Sequence, residues 1–541
     1  MRWWGWGEDA AAVALPDPAA RLLAEELDLS GSERGRRVDL ADVRLPEPSL
    51  GQSARRSLEE AVGQENVLDG IEERLAHAAG RSYPDLVRLR SGDASGAPDA
   101  VVLPKGETEV AAVLGACADA GVAVIPFGGG TSVVGGVEAL RGGHAAAVTL
   151  DLRRMDRVLA VDRKSLTASL EPGLMGPQLE RLLGAEGLTL GHFPQSFEFS
   201  TLGGWVATRS AGQASTGYGR IESLVQSLRC ESPAGPLATR DVPATAAGPS
   251  LRELLVGSEG TLGVITQATV RVRPAPAQRH YEAWSFRSFE EGTEALRGLE
   301  QRGAAPDVAR LSDEQETRLT MALGSTGSTA ERAGRAYLRL RGHEGGCLAF
   351  TGFEGPSEDL SRRRGRCASI LRAAGALSLG ERPGRSWLRG RFSAPYLRDA
   401  LLDRGVMVET LETATTWSAL HGLYASVGAS LRGSLSARGT PPGVMCHVSH
   451  LYPSGASLYF TFLARQEQGA ELEQWRAAKT AACDAILAAG GTITHHHAVG
   501  TVHAPWMEAE IGALGLDVLR AAKERLDPSG VMNPGKLLGP S

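Results

Sequence analysis

Apolar and polar positions change their spacing several times along the chain, and each change marks an element. Asp99-Ala100-Val101-Val102-Leu103-Pro104 is a short apolar run bounded by turn residues and predicts a buried strand. Val110, Val113, Leu114 and Cys117 then recur at helical spacing, predicting a helix from Thr108. A strand over Val122 to Ile125 follows, with further strands over Ala145 to Leu152 and Leu166 to Glu171. Pro177 suits the first turn of another helix. Later the pattern predicts strands over Tyr281 to Phe286, Leu458 to Phe462 and Gly491 to Ile493, and helices over Phe289 to Gln301 and Met507 to Leu526, the last closed by Asp527-Pro528-Ser529-Gly530. The stretch before Pro98 reads as short helices, such as Ala20 to Leu27, joined by linkers at Pro46, Pro48 and Gly51; it is expected to support the rest, not to do chemistry.

With 541 residues, 42% of them hydrophobic, the chain can build two or three cores. Lys plus Arg at 57 against Asp plus Glu at 63 argues against a nucleic-acid partner. Cys117, Cys230, Cys347, Cys367, Cys446 and Cys483 are scattered with no CxxC pair, which fits a reducing, cytoplasmic setting. Neither a signal peptide nor a run of roughly 20 apolar residues is evident, and Gly539-Pro540-Ser541 does not match a peroxisomal tripeptide. Arg362 to Arg366 reads as a solvated helix face.

Candidate chemistry begins at Pro126-Phe127-Gly128-Gly129-Gly130-Thr131-Ser132-Val133-Val134-Gly135-Gly136, directly after a predicted strand. Such glycine density lets backbone N–H groups approach a diphosphate. The spacing matches neither a Rossmann fingerprint nor a Walker A loop. Three further stretches join small residues to hydroxyls: Gln195-Ser196-Phe197-Glu198-Phe199-Ser200-Thr201, Thr208-Arg209-Ser210-Ala211, and Glu259-Gly260-Thr261-Leu262-Gly263-Val264-Ile265. Four such stretches suit close packing on a large cofactor.

Together they resemble the FAD domain of the vanillyl-alcohol oxidase family. The resemblance implies an α+β chain: a two-subdomain PCMH-type FAD-binding domain at 96–276 and a substrate-binding cap with an antiparallel sheet flanked by helices at 277–490. A helical extension at 1–95 and a C-terminal segment with the histidine motif and a helix at 491–541 would complete it. The loop from Pro126 to Ser132 would hold the diphosphate, and the other stretches would line the ribityl chain, adenine and ring. With neither His nor Cys in the glycine loop, non-covalent FAD is implied.

The second half narrows the likeness. Ala309-Arg310-Leu311-Ser312-Asp313, Tyr396-Leu397-Arg398-Asp399, Glu409-Thr410-Leu411-Glu412-Thr413-Ala414, Gly455-Ala456-Ser457-Leu458-Tyr459-Phe460 and Thr494-His495-His496-His497-Ala498-Val499-Gly500 are similar to the alkyldihydroxyacetonephosphate synthase family, and the likeness extends back to Trp4-Gly5-Trp6-Gly7. It implies exchange of the acyl group of acyl-dihydroxyacetone phosphate for a long-chain fatty alcohol, giving an ether lipid precursor, with flavin as a covalent scaffold. It also implies a homodimer, and substrates of this kind suggest peripheral membrane contact. Arg398 would grip the phosphate, Tyr459 would carry a proton, and Arg310 would be needed for activity.

From the residues alone, Tyr459 is a core tyrosine and Arg398-Asp399 a surface ion pair. His495, His496 and His497 suit proton transfer or positioning, structural hydrogen bonding, or metal ligation, although no companion ligand pair is apparent and no metal is expected. If the strand at Gly491 continues, His495 and His497 share one face and His496 takes the other. The competing activity is that of an FAD-dependent D-lactate or D-2-hydroxyacid dehydrogenase or oxidase; a flavin- or lipid-binding protein without catalysis is a third reading.

Overall fold

Most of the expected strands and helices form, and they assemble on three larger sheets, beside a two-stranded pairing of Leu188–Thr189 with Arg273–Pro274. The computed structural model describes residues 1–8, 10 and 12–539; Pro540 and Ser541, read above for a targeting tripeptide, lie outside the described residues. The first sheet runs Val67–Leu68, Ala100–Val102, Ala146–Asp151, Val122–Phe127, with its last three strands parallel. Helix Glu107–Ala120 makes the crossover and buries Val110, Val113, Leu114 and Cys117, the face its spacing indicated. Gly121 at φ +61° ends it.

The second sheet is antiparallel: Val158–Asp162, Thr167–Leu170, Val264–Arg271, Val225–Ser232, Gly235–Ala238. The third, also antiparallel, orders Leu377–Gly380, Gln278–Phe286, Cys347–Gly355, Val308–Ser312, Gly443–Tyr452, Gly455–Arg465 and Val406–Thr416. Helices Phe289–Gln301, Ser357–Ala373, Leu420–Ala437 and Glu471–Ala488 flank it and contribute Leu296, Leu371, Leu431 and Ala482 to a core containing Trp284, Phe353 and Phe460. The chain is α+β, as the sequence implied.

Local departures have local causes. The first helix starts at Asp17, behind Pro16, and ends at Glu26. The C-terminal helix is two pieces, Met507–Ile511 and Ala513–Leu526, because Gly512 sits at φ +78° between them. The arginine stretch lies on helix Ser357–Ala373, where Arg362 is exposed beside Asp359, but Arg363 and Arg364 reach the carboxylates of Asp307 and Glu282. The strand expected at Gly491 to Ile493 is absent: these residues follow helix Glu471–Ala488 as irregular chain. Among the described residues no helix is long and apolar enough to cross a membrane.

The glycine loop shows why its composition matters. A Cβ on Gly129 would fall on the Phe199 carbonyl oxygen, and one on Gly128 would fall on the Thr201 hydroxyl. The loop is therefore pressed against the segment Phe199 to Thr201 before any cofactor is considered. Gly129→Ala is expected to cost about 1–3 kcal/mol through overpacking. Thermal unfolding and flavin absorbance of the purified variant, both lowered, would show it; an unaltered melting temperature would mean that the contact is not a constraint.

Candidate active site

Residues 494–500 carry the triple histidine in irregular backbone, and two carboxylates fix them. Glu412, on strand Val406–Thr416 and buried, accepts from the Thr494 hydroxyl at 2.7 Å, the His497 N–H at 2.6 Å, and the His495 N–H. Glu259, in the last of the four flavin-type stretches, accepts from Val499 N–H at 2.8 Å and Gly500 N–H at 2.7 Å. Backbone torsions let the chain turn here: Ala498 has φ +74°, and Gly500 has φ +54° with the Val134 carbonyl where a Cβ would go. The expectation that the rings alternate faces as in a strand is thus corrected.

Instead the rings converge. Tyr459 pairs across the sheet with Glu412 on one side and His447 on the other, and residues directly opposite in antiparallel strands share a face. Its ring stacks on His447 at 4.7 Å and on His496 at 5.9 Å, and meets His497 edge-on at 5.4 Å. A bulge between Val448 and Leu451 breaks the alternation and turns His450 toward the same cluster, 5.0 Å from His495 and 5.2 Å from His496 between ring centres. The Tyr452 hydroxyl meets His495 Nε2 at 2.6 Å, and Nδ1 of His495 lies 2.9 Å from Nδ1 of His496. Arg220 donates to the His495 carbonyl at 2.7 Å. Arg310 donates to Glu316 at 2.5 Å and lies 3.1 Å from His447 Nδ1, so it props the ring stacked on Tyr459.

Burial governs the protonation of this cluster. It pushes the Tyr459 hydroxyl up to about 12, against a hydrogen bond with Thr410. It lowers His496 to about 3 despite the opposing charge of Glu412, and it lowers His450, His495 and His497 as well. The rings are neutral and the tyrosine is protonated near neutral pH. Glu412 itself is held at about 2: burial opposes ionisation, but His496, His497 and the hydrogen bonds outweigh it. Glu316 is likewise held well below the usual carboxylate range, where His447 and Arg310 outweigh burial.

Ligand atoms of His450, His495 and His496 lie within 4.8 Å of one another, so His450 is the companion that the sequence did not reveal. Tyr452 already meets His495, and the Arg220 guanidinium stands beside the group, an environment that disfavours a dication.

A cleft of about 540 Å³ joins the histidines to the flavin-type stretches; Thr208, Arg209, Gly257 and Glu259 line one side, and Tyr452, Thr494, His495 and His496 the other. The remaining residues of those stretches divide between facing and supporting. Pro126 and Phe127 end strand Val122–Phe127, and Gly130, at φ +65°, packs on the Phe127 ring. Ser132 accepts from Gly136 N–H at 2.9 Å and closes the loop. Thr131 is half-buried beside it, and Ser196 is half-buried at the start of the turn below. Gln195 bridges to the Arg391 carbonyl at 2.9 Å, and Glu198 to the Tyr396 hydroxyl at 3.2 Å.

Other members of the same stretches are structural. Phe197 stacks on Trp205 and Phe392, Ser200 takes the Trp205 indole N–H at 2.7 Å, and Thr201 caps helix Leu202–Ala207. Phe199 presents its carbonyl to the glycine loop. Ser210 meets His192 at 2.7 Å, Ala211 is buried, Gly260 packs on Pro126, and Thr261 closes a turn on Ser258. Gly263 lies against the Glu231 carbonyl, and Leu262, Val264 and Ile265 fill hydrophobic cores. Arg398 is on helix Ala394–Leu402 with Nε and Nη2 buried and unpartnered, whereas Asp399 takes the Trp6 N–H at 2.7 Å. The expected surface ion pair is therefore replaced by a buried cation.

This architecture, flavin-type stretches facing a histidine cluster across one cleft, is that of an FAD-dependent oxidase-type protein. The FAD binding domain family matches residues 98–239, and the family described as FAD linked oxidases, C-terminal domain, matches residues 275–537. Alkyldihydroxyacetonephosphate synthase of Dictyostelium discoideum is 33% identical, with 99% of this chain and 93% of that protein aligned. The Trypanosoma brucei brucei protein of the same name is 32% identical over 99% and 92%. A solved alkyldihydroxyacetonephosphate synthase superposes with a TM-score of 0.86 at 31% identity, covering 99% of each chain. A p-cresol methylhydroxylase structure shares the fold at TM-score 0.66 and 15% identity. The chain belongs to the alkyldihydroxyacetonephosphate synthase family, and its cofactor is FAD.

Glu412→Gln keeps volume but offers an N–H to partners that are themselves donors, leaving buried groups unmatched at about 1–3 kcal/mol. Activity is expected to fall at least about tenfold, as a 1.4 kcal/mol loss implies, with flavin still bound. The pH profile of unfolding supplies a second check. Because its folded-state value is depressed from 4.5 to about 2, the stabilising contribution of Glu412 is present above about 4.5 and is lost as pH falls through about 2. Acid unfolding of the variant should lack that component.

Proposed function

We propose that the chain is an alkylglycerone-phosphate synthase, exchanging the acyl group of acyl-dihydroxyacetone phosphate for a long-chain fatty alcohol. The observation that carries the reading is the packing of a protonated Tyr459 against neutral histidines, of which His496 also lines the cleft. In the exchange, the bond to the leaving fatty carboxylate breaks, a C–O bond to the alcohol forms, and the alcohol's proton is released; no net oxidation occurs. FAD, when bound, supplies a ring that holds the substrate carbon between these two events.

The chain's own groups supply the rest. Thr208, Arg209, Gly257 and Glu259 would face FAD, with the loop from Pro126 to Ser132 at its diphosphate. Tyr459 keeps its proton and can donate it toward the departing carboxylate oxygen. The neutral histidines accept the alcohol O–H and orient its oxygen; their low basicity suits this better than a long-lived imidazolium would. Arg310 acts on Tyr459 through His447 and Glu316. Arg398, whose Nε and Nη2 are buried without a partner, would hold the substrate phosphate.

Purified protein given palmitoyl-dihydroxyacetone phosphate and labelled hexadecanol is expected to yield a labelled alkyl ether and free palmitate. Tyr459→Phe should lower that rate about 10²–10⁴-fold, the range for loss of a proton-transfer group, while retaining flavin. Full activity in Tyr459→Phe would remove the tyrosine from the chemistry, and absence of ether from the wild type would refute the assignment.

A further inference from the structure

The N-terminal motif Trp4-Gly5-Trp6-Gly7 and the segment around Arg81 both pack on helix Ala394–Leu402, the first at Tyr396 and Asp399 and the second at Arg398, although neither belongs to the flavin-type stretches. Gly5 is required there because a Cβ would strike the Asp399 carboxylate; Gly7, at φ +72°, lies against the Tyr396 ring. Trp6 is 3% exposed, donates its backbone N–H to Asp399 Oδ2 at 2.7 Å, and sets its indole edge-on to Phe199 at 5.6 Å. Arg81, also 3% exposed, donates from Nη1 to the Gly80 carbonyl at 2.6 Å and from Nη2 to the Arg2 carbonyl at 3.1 Å. Its own carbonyl accepts from Arg398 Nη1 at 2.6 Å, and its N–H donates to the Ser132 carbonyl at 2.6 Å, which ties it to the glycine loop.

These contacts leave more donors than acceptors unpartnered, with Asp399 Oδ1 the one buried acceptor of the group that is also without a partner among the described residues. Arg398 Nε and Nη2, Arg81 Nε and Trp6 Nε1 are four buried donors without an acceptor among the described residues. The acidic neighbours are engaged elsewhere: Asp399 Oδ2 takes the Trp6 N–H and Arg2, and Asp85 takes the Ser82 N–H and Arg88. The Arg398 guanidinium bonds to the main chain of Arg81, whose own guanidinium carries like charge nearby, and unmatched buried donors are costly. A phosphate monoester answers both, since it brings negative charge and several acceptor oxygens to donors of fork geometry.

We propose that Arg81 and Trp6 complete the anion site that Arg398 begins, so that the substrate's phosphate is held between two guanidiniums and an indole N–H, with residues 1–7 strapped over it. This rests on the assignment of Arg398 above. The N-terminal extension is then part of substrate recognition, contrary to the supporting role expected from sequence.

The test measures calorimetric binding of dihydroxyacetone phosphate, which carries the phosphate without the acyl chain, to the FAD-loaded protein, together with KM for each substrate. Arg398→Ala and Arg81→Ala should each weaken binding at least about tenfold, as loss of a charge-assisted hydrogen bond implies. Arg81→Lys, which keeps charge but loses the fork, and Trp6→Phe, which removes only the N–H, should weaken it by smaller factors. In each variant KM for hexadecanol and flavin content should stay unchanged. If Arg398→Ala weakens binding while Arg81→Lys and Trp6→Phe bind as the wild type does, Arg81 and Trp6 are not ligands and the Arg398 assignment stands. If Arg398→Ala also binds normally, the phosphate lies elsewhere and both readings fall.

Discussion

The site depends on a loop that has no regular structure and is held from both sides by carboxylates. Glu412 reaches it from the seven-stranded sheet and Glu259 from a turn beside the glycine loop; between them they take four backbone N–H groups of residues 495–500 and one hydroxyl. The two are in opposite electrostatic positions. Glu412 is ionised, set against histidine rings and hydrogen-bond donors, whereas burial raises Glu259 to about 7 against the same kind of backbone donation. Without the pair, the histidine segment would keep only the hold of Arg220 and Tyr452 on His495, with no regular backbone pairing to place His496 and His497 beside Tyr459.

The surrounding sheet turns that anchor into a reaction environment. Cross-strand register places Tyr459, Glu412 and His447 on one face, and a bulge adds His450. Burial then keeps the imidazoles neutral and the phenol protonated, so positive charge around the cluster resides on arginines, Arg220, Arg310 and Arg398 among them. Neutral proton carriers beside fixed cations suit an anionic substrate that exchanges one oxygen ligand of carbon for another.

Much of this was legible in the sequence because it is local. The glycine run, the helical spacing of Val110 to Cys117 and the strand around Tyr459 each encode their own geometry. What was not legible depends on contacts distant along the chain. Gly491 to Ile493 has strand-like composition, but the Ala414 and Thr413 backbone and hydroxyl contacts hold it as irregular chain. Glu412 looks like any polar position in an alternating strand, and its role appears only when residues 494–497 return to it. His450 is silent because a bulge, not alternation, orients it. Arg398 and Asp399 read as an ion pair, yet the carboxylate belongs to Trp6 and Arg2. In the flavin-type stretches the small residues were read as packing closely on a cofactor, whereas Gly129 and Gly263 are held small by protein, against Phe199 and Glu231.

The central claim is that this flavin site performs group exchange without consuming an electron acceptor. Anaerobic turnover tests it most directly: FAD-loaded protein, excess palmitoyl-dihydroxyacetone phosphate and hexadecanol, no oxidant, with products counted against enzyme and the flavin spectrum followed throughout. Many turnovers, ether and palmitate in equal amounts, and oxidised flavin at the end are expected. Reaction that stops at one equivalent with bleached flavin, or that resumes only when an acceptor is added, would contradict it.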